Sequence, residues 1–165
     1  MIVLGVDTSL RSTGYGVLET QGSRLAALDY GRIRNDPKLP LSACLKRIHE
    51  KISELIEKHR PEVVAAEAVI YAKNASTMLI LGEARGAVIT AAAMRGIPVF
   101  EYEPRRMKRA VCGNGMAEKE QIQRMVKTLL NLPELPQNDA ADALGLAIAH
   151  AHSTRYAALS ADSPI

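Results

Sequence analysis

The chain opens Met1-Ile-Val-Leu-Gly-Val-Asp7-Thr-Ser9, an apolar run without period that stops at a carboxylate. A short continuous apolar run closed by Asp, Thr and Ser, with Gly14-Tyr15-Gly16 just beyond, predicts a buried central strand that feeds a hairpin. Asp7 then stands at the end of that strand. Taken alone it reads as a turn residue, because Asp, Thr and Ser bond their own backbone at such places. The positions of three other acids change that reading.

Working outward, residues 14–20 and 24–34 carry alternating or β-rich runs around a break at Gln21-Gly22-Ser23, which predicts two further antiparallel strands in a meander. Leu41, Leu45, Ile48, Ile52, Leu55 and Ile56 recur at intervals of three and four, so residues 41–60 form an amphipathic helix ended by Pro61. Residues 62–67 repeat the opening pattern, a short core strand finishing on Glu67. A loop over 68–74 carries Ile70, Tyr71 and Lys73, and a small-residue helix over 75–95 follows, with Gly82 and Gly86 one turn apart. Glycine weakens a helix, so these two imply close packing against something. Residues 97–102 give a fifth strand. Helices are expected from Pro104 to the breaker Gly113-Asn114-Gly115, over 117–130, and over 139–150 behind Asn138 as N-cap. Residues 1–153 make one domain, and 154–165 read as a mobile tail. The order of elements suits an α/β fold: a ribonuclease H-like mixed five-stranded sheet flanked by helices on both faces.

With 165 residues the chain can bury one sizeable core without disulfides or a structural metal. Cys44 and Cys112 match no zinc spacing, and the segment before Asp7 is too short for a secretory apolar region, so free thiols in the cytoplasm are expected and no membrane span. The balance of 21 basic against 18 acidic residues permits a polyanionic partner without requiring one. Distribution says more than the sum: Arg105, Arg106, Lys108 and Arg109 crowd together, whereas Asp7 and Glu67 stand singly at the ends of apolar segments.

If the first and fourth strands lie side by side and parallel, Asp7 and Glu67 end near each other. Asp139 and Asp142, three residues apart on one helix face, can then lean over the same edge. Each acid has a plainer reading: Glu67 as a helix cap, Asp139 and Asp142 as complements to a helix dipole. Four carboxylates within reach of one another, however, demand a cation or shifted pKa values. Hard oxygen ligands with room left for substrate and water suit Mg²⁺, with Mn²⁺ able to substitute. Two such ions about 4 Å apart can activate water and stabilise the leaving oxygen in phosphodiester hydrolysis. No histidine is assigned a role: His150 and His152 lie too far along the last helix, and His49 and His59 fall on a solvated helix.

Leu4-Gly-Val-Asp7, Thr13-Gly-Tyr-Gly16, Glu67 with Ala72-Lys73-Asn74-Ala75, Leu81-Gly-Glu-Ala-Arg-Gly86, Pro98-Val-Phe-Glu-Tyr102, Gly113-Asn-Gly115 with Ala117-Glu-Lys119, and Asn138-Asp-Ala-Ala-Asp-Ala-Leu144 resemble the RuvC family of crossover-junction endodeoxyribonucleases. The resemblance covers residues 1–153. It implies a homodimer that binds four-way Holliday junctions and nicks two opposed strands symmetrically, with two magnesium ions per active site, beside a branch-migration complex of RuvA and RuvB. It carries over Asp7, Glu67, Asp139 and Asp142 as metal-holding catalytic acids, and Lys108 and Lys119 as bases near the cleaved DNA. Arg105, Arg106 and Arg109 are then expected on phosphates, with Ile70, Tyr71 and Lys73 facing the junction. A different substrate for the same site, another branched DNA or an RNA–DNA hybrid, is the rival reading. The chain departs from the family at Thr8-Ser9-Leu10, where relatives usually have Pro-Gly-Ser, and at Ile70-Tyr71, where an aromatic usually follows the strand-terminal Glu more directly. Tyr71, which can stack on a base as Ile70 cannot, is expected to wedge into the junction, with insertion of Ile70 as an apolar wedge the alternative.

Overall fold

Strand β1 (Ile2–Asp7) lies in the middle of a five-stranded sheet of order β3-β2-β1-β4-β5. The computed structural model describes residues 1–69, 74–155 and 163–165. β2 (Ser12–Gln21) runs antiparallel to β1 and β3 (Arg24–Arg34) antiparallel to β2, which is the expected meander. On its other side β1 pairs in parallel with β4 (Val63–Glu67), and β4 in parallel with β5 (Val99–Tyr102). Parallel neighbours need crossovers, here α1 (Leu41–His59) and α2 (Ala75–Ala93). The chain closes with α3 (Pro104–Cys112), α4 (Lys119–Leu130) and α5 (Asn138–Arg155).

The continuous apolar run of β1 has its cause in this arrangement, because both faces of the strand are covered. Val3 points to the core shared with α3, α4 and α5, while Leu4 and Val6 point to the core under α1 and α2, and all three are fully buried. α1 contributes Cys44, Ile48, Ile52 and Ile56, one residue per turn on a single face. It stops at Arg60, whose left-handed backbone (φ 50°) lets its N–H return to the Ile56 carbonyl at 2.8 Å just before Pro61.

Four features differ from the sequence reading. Asn138 is the first helical residue of α5 rather than its cap. α5 also runs on to Arg155, beyond the point at 150 where it was expected to stop, since Ala151 stays buried and Thr154 Oγ1 donates to the carbonyls of His150 and Ala151. Gly82 and Gly86 do not make the expected close contacts among the described residues, where a Cβ built at either meets nothing within 4 Å. The inner face of α2 is instead Ala84, Val88, Ala91 and Ala92. Finally, His59 is not solvated: its Nε2 lies 2.9 Å from Asp29 Oδ2, beside the Lys58–Asp29 ion pair of 2.7 Å. At the chain's end, Ile165 N–H donates to the Val99 carbonyl at 3.0 Å, on the sheet's edge strand.

Candidate active site

The parallel register pairs Val6 with Ala66, so the next residue on each strand, Asp7 and Glu67, sits at the same C-terminal edge of the sheet. α5 reaches that edge by lying directly on backbone. A Cβ at Gly5 would stand 1.9 Å from the Ala143 carbonyl oxygen, and one at Gly14 only 2.0 Å from that of Asp139. A Cβ at Gly16 would stand 2.7 Å from the Leu144 side chain and 2.9 Å from its backbone nitrogen. No other residue type permits this approach, which brings the first turn of α5, with Asp139 and Asp142, over the end of β1. Ser12 Oγ donates to Asp139 Oδ2, and Arg32 Nη1 stands 3.9 Å from the same oxygen.

Burial and charge act together on three of the four acids. The Asp7 carboxyl is pushed up to about 7, first by burial and then by Glu67, Asp142 and Asp139, with Lys119 opposing. Burial also raises Glu67, aided by Asp142 and opposed by Lys108. Asp142 is raised by burial and by Asp139, against Lys119 and Lys108. Asp7 therefore feels the other three sequence-predicted acids, Glu67 feels Asp142, and Asp142 feels Asp139, with the two predicted lysines as the opposing cations. Lys108 is half-buried on α3, and Lys119 is the exposed first residue of α4, behind a Glu118–Gln121 capping box.

The turn after Asp7 is built without Pro-Gly. Thr13, fully buried, donates from Oγ1 to the Ser9 carbonyl at 2.5 Å and accepts from Ser9 N–H at 3.3 Å. Asn35 adds a bond from Nδ2 to the Leu10 carbonyl at 2.7 Å. Two buried polar side chains thus fix residues 8–11, and none of these residues needs a positive φ. Among the other basic residues, Arg105 and Arg109 are exposed. Arg106 is committed elsewhere in part, its guanidinium 5.1 Å from the Tyr102 ring centre and Nη2 donating to Ser153 Oγ at 3.0 Å. His150 is buried away from the acids against Tyr102, with Nδ1 2.8 Å from the hydroxyl. Ile70, Tyr71 and Lys73 lie outside the described residues.

Sequence reading missed Ser12 and Arg32, whose proximity to Asp139 depends on the β1–β2–β3 register. The available signal was faint: two polar residues at strand positions that flank Gly14, the partner of both Asp7 and Arg32. Among the described residues no group of three or more Asp, Glu, His or Cys side chains is placed so as to hold a metal ion. The donor set nonetheless fits a hard divalent cation of the catalytic kind, which takes one or two carboxylates and completes its shell with water and substrate phosphate. The surplus of coupled negative charge around Asp7 is what such a cation would neutralise.

The family model for crossover junction endodeoxyribonuclease RuvC matches residues 3–150. The chain is 51% identical to crossover junction endodeoxyribonuclease RuvC of Geobacter sp. (strain M21) over 159 residues, 96% of this chain and 97% of that protein. The same-named protein of Citrifermentans bemidjiense is likewise 51% identical over 159 residues. Among solved structures, T. thermophilus RuvC in complex with Holliday junction substrate superposes with TM-score 0.92 at 32% identity, covering 100% of this chain and 99% of that one. The yeast mitochondrial Holliday junction resolvase, at TM-score 0.61 and 15% identity over 93% of this chain and 82% of its own, shares the fold.

Proposed function

The chain belongs to the RuvC family of crossover junction endodeoxyribonucleases, and from that premise we propose that Asp7, Glu67, Asp139 and Asp142 form its hydrolytic centre, acting on four-way junction DNA. One observation carries this reading: at the edge where β1, β4 and α5 converge, the Asp7 carboxyl is pushed up to about 7, first by burial and then by Glu67, Asp142 and Asp139, with Lys119 opposing. A structural role for these acids would leave their coupling without purpose, because mutual repulsion destabilises the fold that holds it.

Asp7, Glu67, Asp139 and Asp142 would hold two Mg²⁺ ions, for which Mn²⁺ can substitute. Such ions would supply Lewis acidity, acidifying an attacking water and stabilising charge on the departing oxygen. The protein's own residues do the rest. β1 and β4 fix the two strand-terminal carboxylates, and the glycine bed under α5 fixes the other pair relative to them. Lys108 and Lys119, already the cations that oppose the shifts of Glu67, Asp142 and Asp7, stabilise negative charge on the reacting phosphate. Ser12 and Arg32 hold the Asp139 carboxylate in place. Arg105 and Arg109 contribute phosphate contacts that set affinity.

A junction offers two equivalent strands, so the functional unit is a homodimer with two-fold symmetry. The outward face of α2 around Gly82 and Gly86, open among the described residues, suits self-packing. The enzyme works in the cytoplasm, on junctions handled by a RuvA and RuvB branch-migration complex. Among the described residues no helix is long and apolar enough to cross a membrane. The test is to offer purified protein four-way, three-way, duplex and RNA–DNA hybrid substrates, with Mg²⁺ and then with Ca²⁺, and to map the cuts. Paired, symmetric nicks in the four-way junction with Mg²⁺ alone are expected. Preferential cutting of the hybrid would replace the junction reading with the rival one.

A further inference from the structure

On the flank of the sheet, α1 and β3 enclose a groove of ≈300 Å³, of whose cations the hydrolytic centre uses only Arg32. Arg47, Lys51 and Lys58 line it from α1. Spaced at i, i+4 and i+11, they fall within about 40° of one another around the helix and form a single stripe. Arg32 lines the opposite wall from β3. Four cations thus face two carboxylates, Asp29 and Glu54, which pair with Lys58 at 2.7 Å and Lys51 at 2.5 Å. Arg47 is exposed and has no ion pair among the described residues, so the net charge of the groove is positive.

The groove and the active site share Arg32. Arg32, which lines the groove, also stands 3.9 Å from Asp139, so the positive surface begins where the acids end. From Arg47 to Lys58 the stripe runs about 16 Å along α1, roughly five nucleotides at 3.4 Å of rise per strand. A solvated helix face needs neither this alignment nor a link to catalysis. Resting on the junction reading above, we propose that the α1–β3 groove is a track for the sugar–phosphate backbone of a duplex arm as it leaves the point of cleavage. Arg32 makes the first contact, and Arg47 and Lys51 the next.

The experiment measures junction binding in Ca²⁺ across a salt series, with junctions of long arms and of arms cut to about half a helical turn. Wild type is compared with Arg47→Ala/Lys51→Ala and with the charge-preserving Arg47→Lys/Lys51→Arg. On long arms the alanine pair is expected to flatten the log affinity against log salt slope by about 2 and to weaken binding about tenfold at moderate salt. The charge-preserving pair should keep the wild-type slope, and short-armed junctions should bind all three proteins alike. An unchanged slope for the alanine pair, or an equal loss on short and long arms, overturns the track. Wild-type cleavage of both junctions in Mg²⁺ is followed in parallel. If wild type cuts neither, the junction reading fails, whereas if it cuts both and the variants bind like wild type, only the track does.

Discussion

Asp7 is where burial and charge act most strongly on one side chain, and its folded pKa of about 7 has a sign that can be worked out. An acid raised on folding binds its proton more tightly in the native state, so stability is greatest below the unfolded value and is lost as pH rises through about 7. Glu67 and Asp142 are shifted in the same direction. In metal-free protein, Asp7→Asn should therefore stabilise the fold above pH 7, by on the order of 1–3 kcal/mol, and have little effect near pH 4. Urea unfolding of both proteins at several pH values measures this, and a difference independent of pH would contradict it. Magnesium added at pH 8 should raise the melting temperature of wild type and much less that of Asp7→Asn. The lysines divide differently. Lys119→Ala should lower the single-turnover cleavage rate about 100-fold while weakening junction binding only a few-fold, and the opposite pattern would make Lys119 an affinity contact.

At the scale of elements, the decisive contact is α5 on the backbone of β1 and β2. Gly14→Ala places a methyl 2.0 Å from the Asp139 carbonyl oxygen, which neither backbone can absorb without shifting α5. A loss of roughly 3 kcal/mol or more in stability is expected, and cleavage should fall further than the unfolded fraction explains, because Asp139 moves with the helix. Gly22→Ala is the comparison, since its Cβ meets nothing within 4 Å and only its φ of +59° is strained. The contrast marks what the sequence makes legible. β1 and β4 could be read because a strand covered on both faces must be apolar throughout, and an acid at its end then stands out. Asp139 and Asp142 could be read from helical spacing alone. Gly5, Gly14 and Gly16 could not, since glycine near a turn reads as conformational freedom, whereas here it makes room for a helix distant in sequence. Ser12, Arg32 and the His59–Asp29 contact were hidden for a related reason: each joins elements whose register only the folded sheet sets.

For the whole molecule, one sheet separates two cores, and its C-terminal edge collects acids from β1, β4 and α5 with cations from α3, α4 and β3. Among the described residues nothing comes within 4 Å of a Cβ built at Gly82 or Gly86 on the outward face of α2. If two copies meet there, light scattering at micromolar concentration should give twice the chain mass, and Gly86→Leu should return it to monomer. A wild-type monomer both alone and on a junction would contradict the two-fold unit. The central claim is that the converging acids are a hydrolytic centre and not a structural cluster. Single-turnover cleavage of a four-way junction by Asp7→Asn in Mg²⁺, with binding measured in Ca²⁺, tests it most directly. The prediction is a loss of at least about 1,000-fold in rate, with junction affinity unchanged or tighter because a negative charge beside phosphate has been removed. Cleavage by Asp7→Asn at the wild-type rate would contradict it.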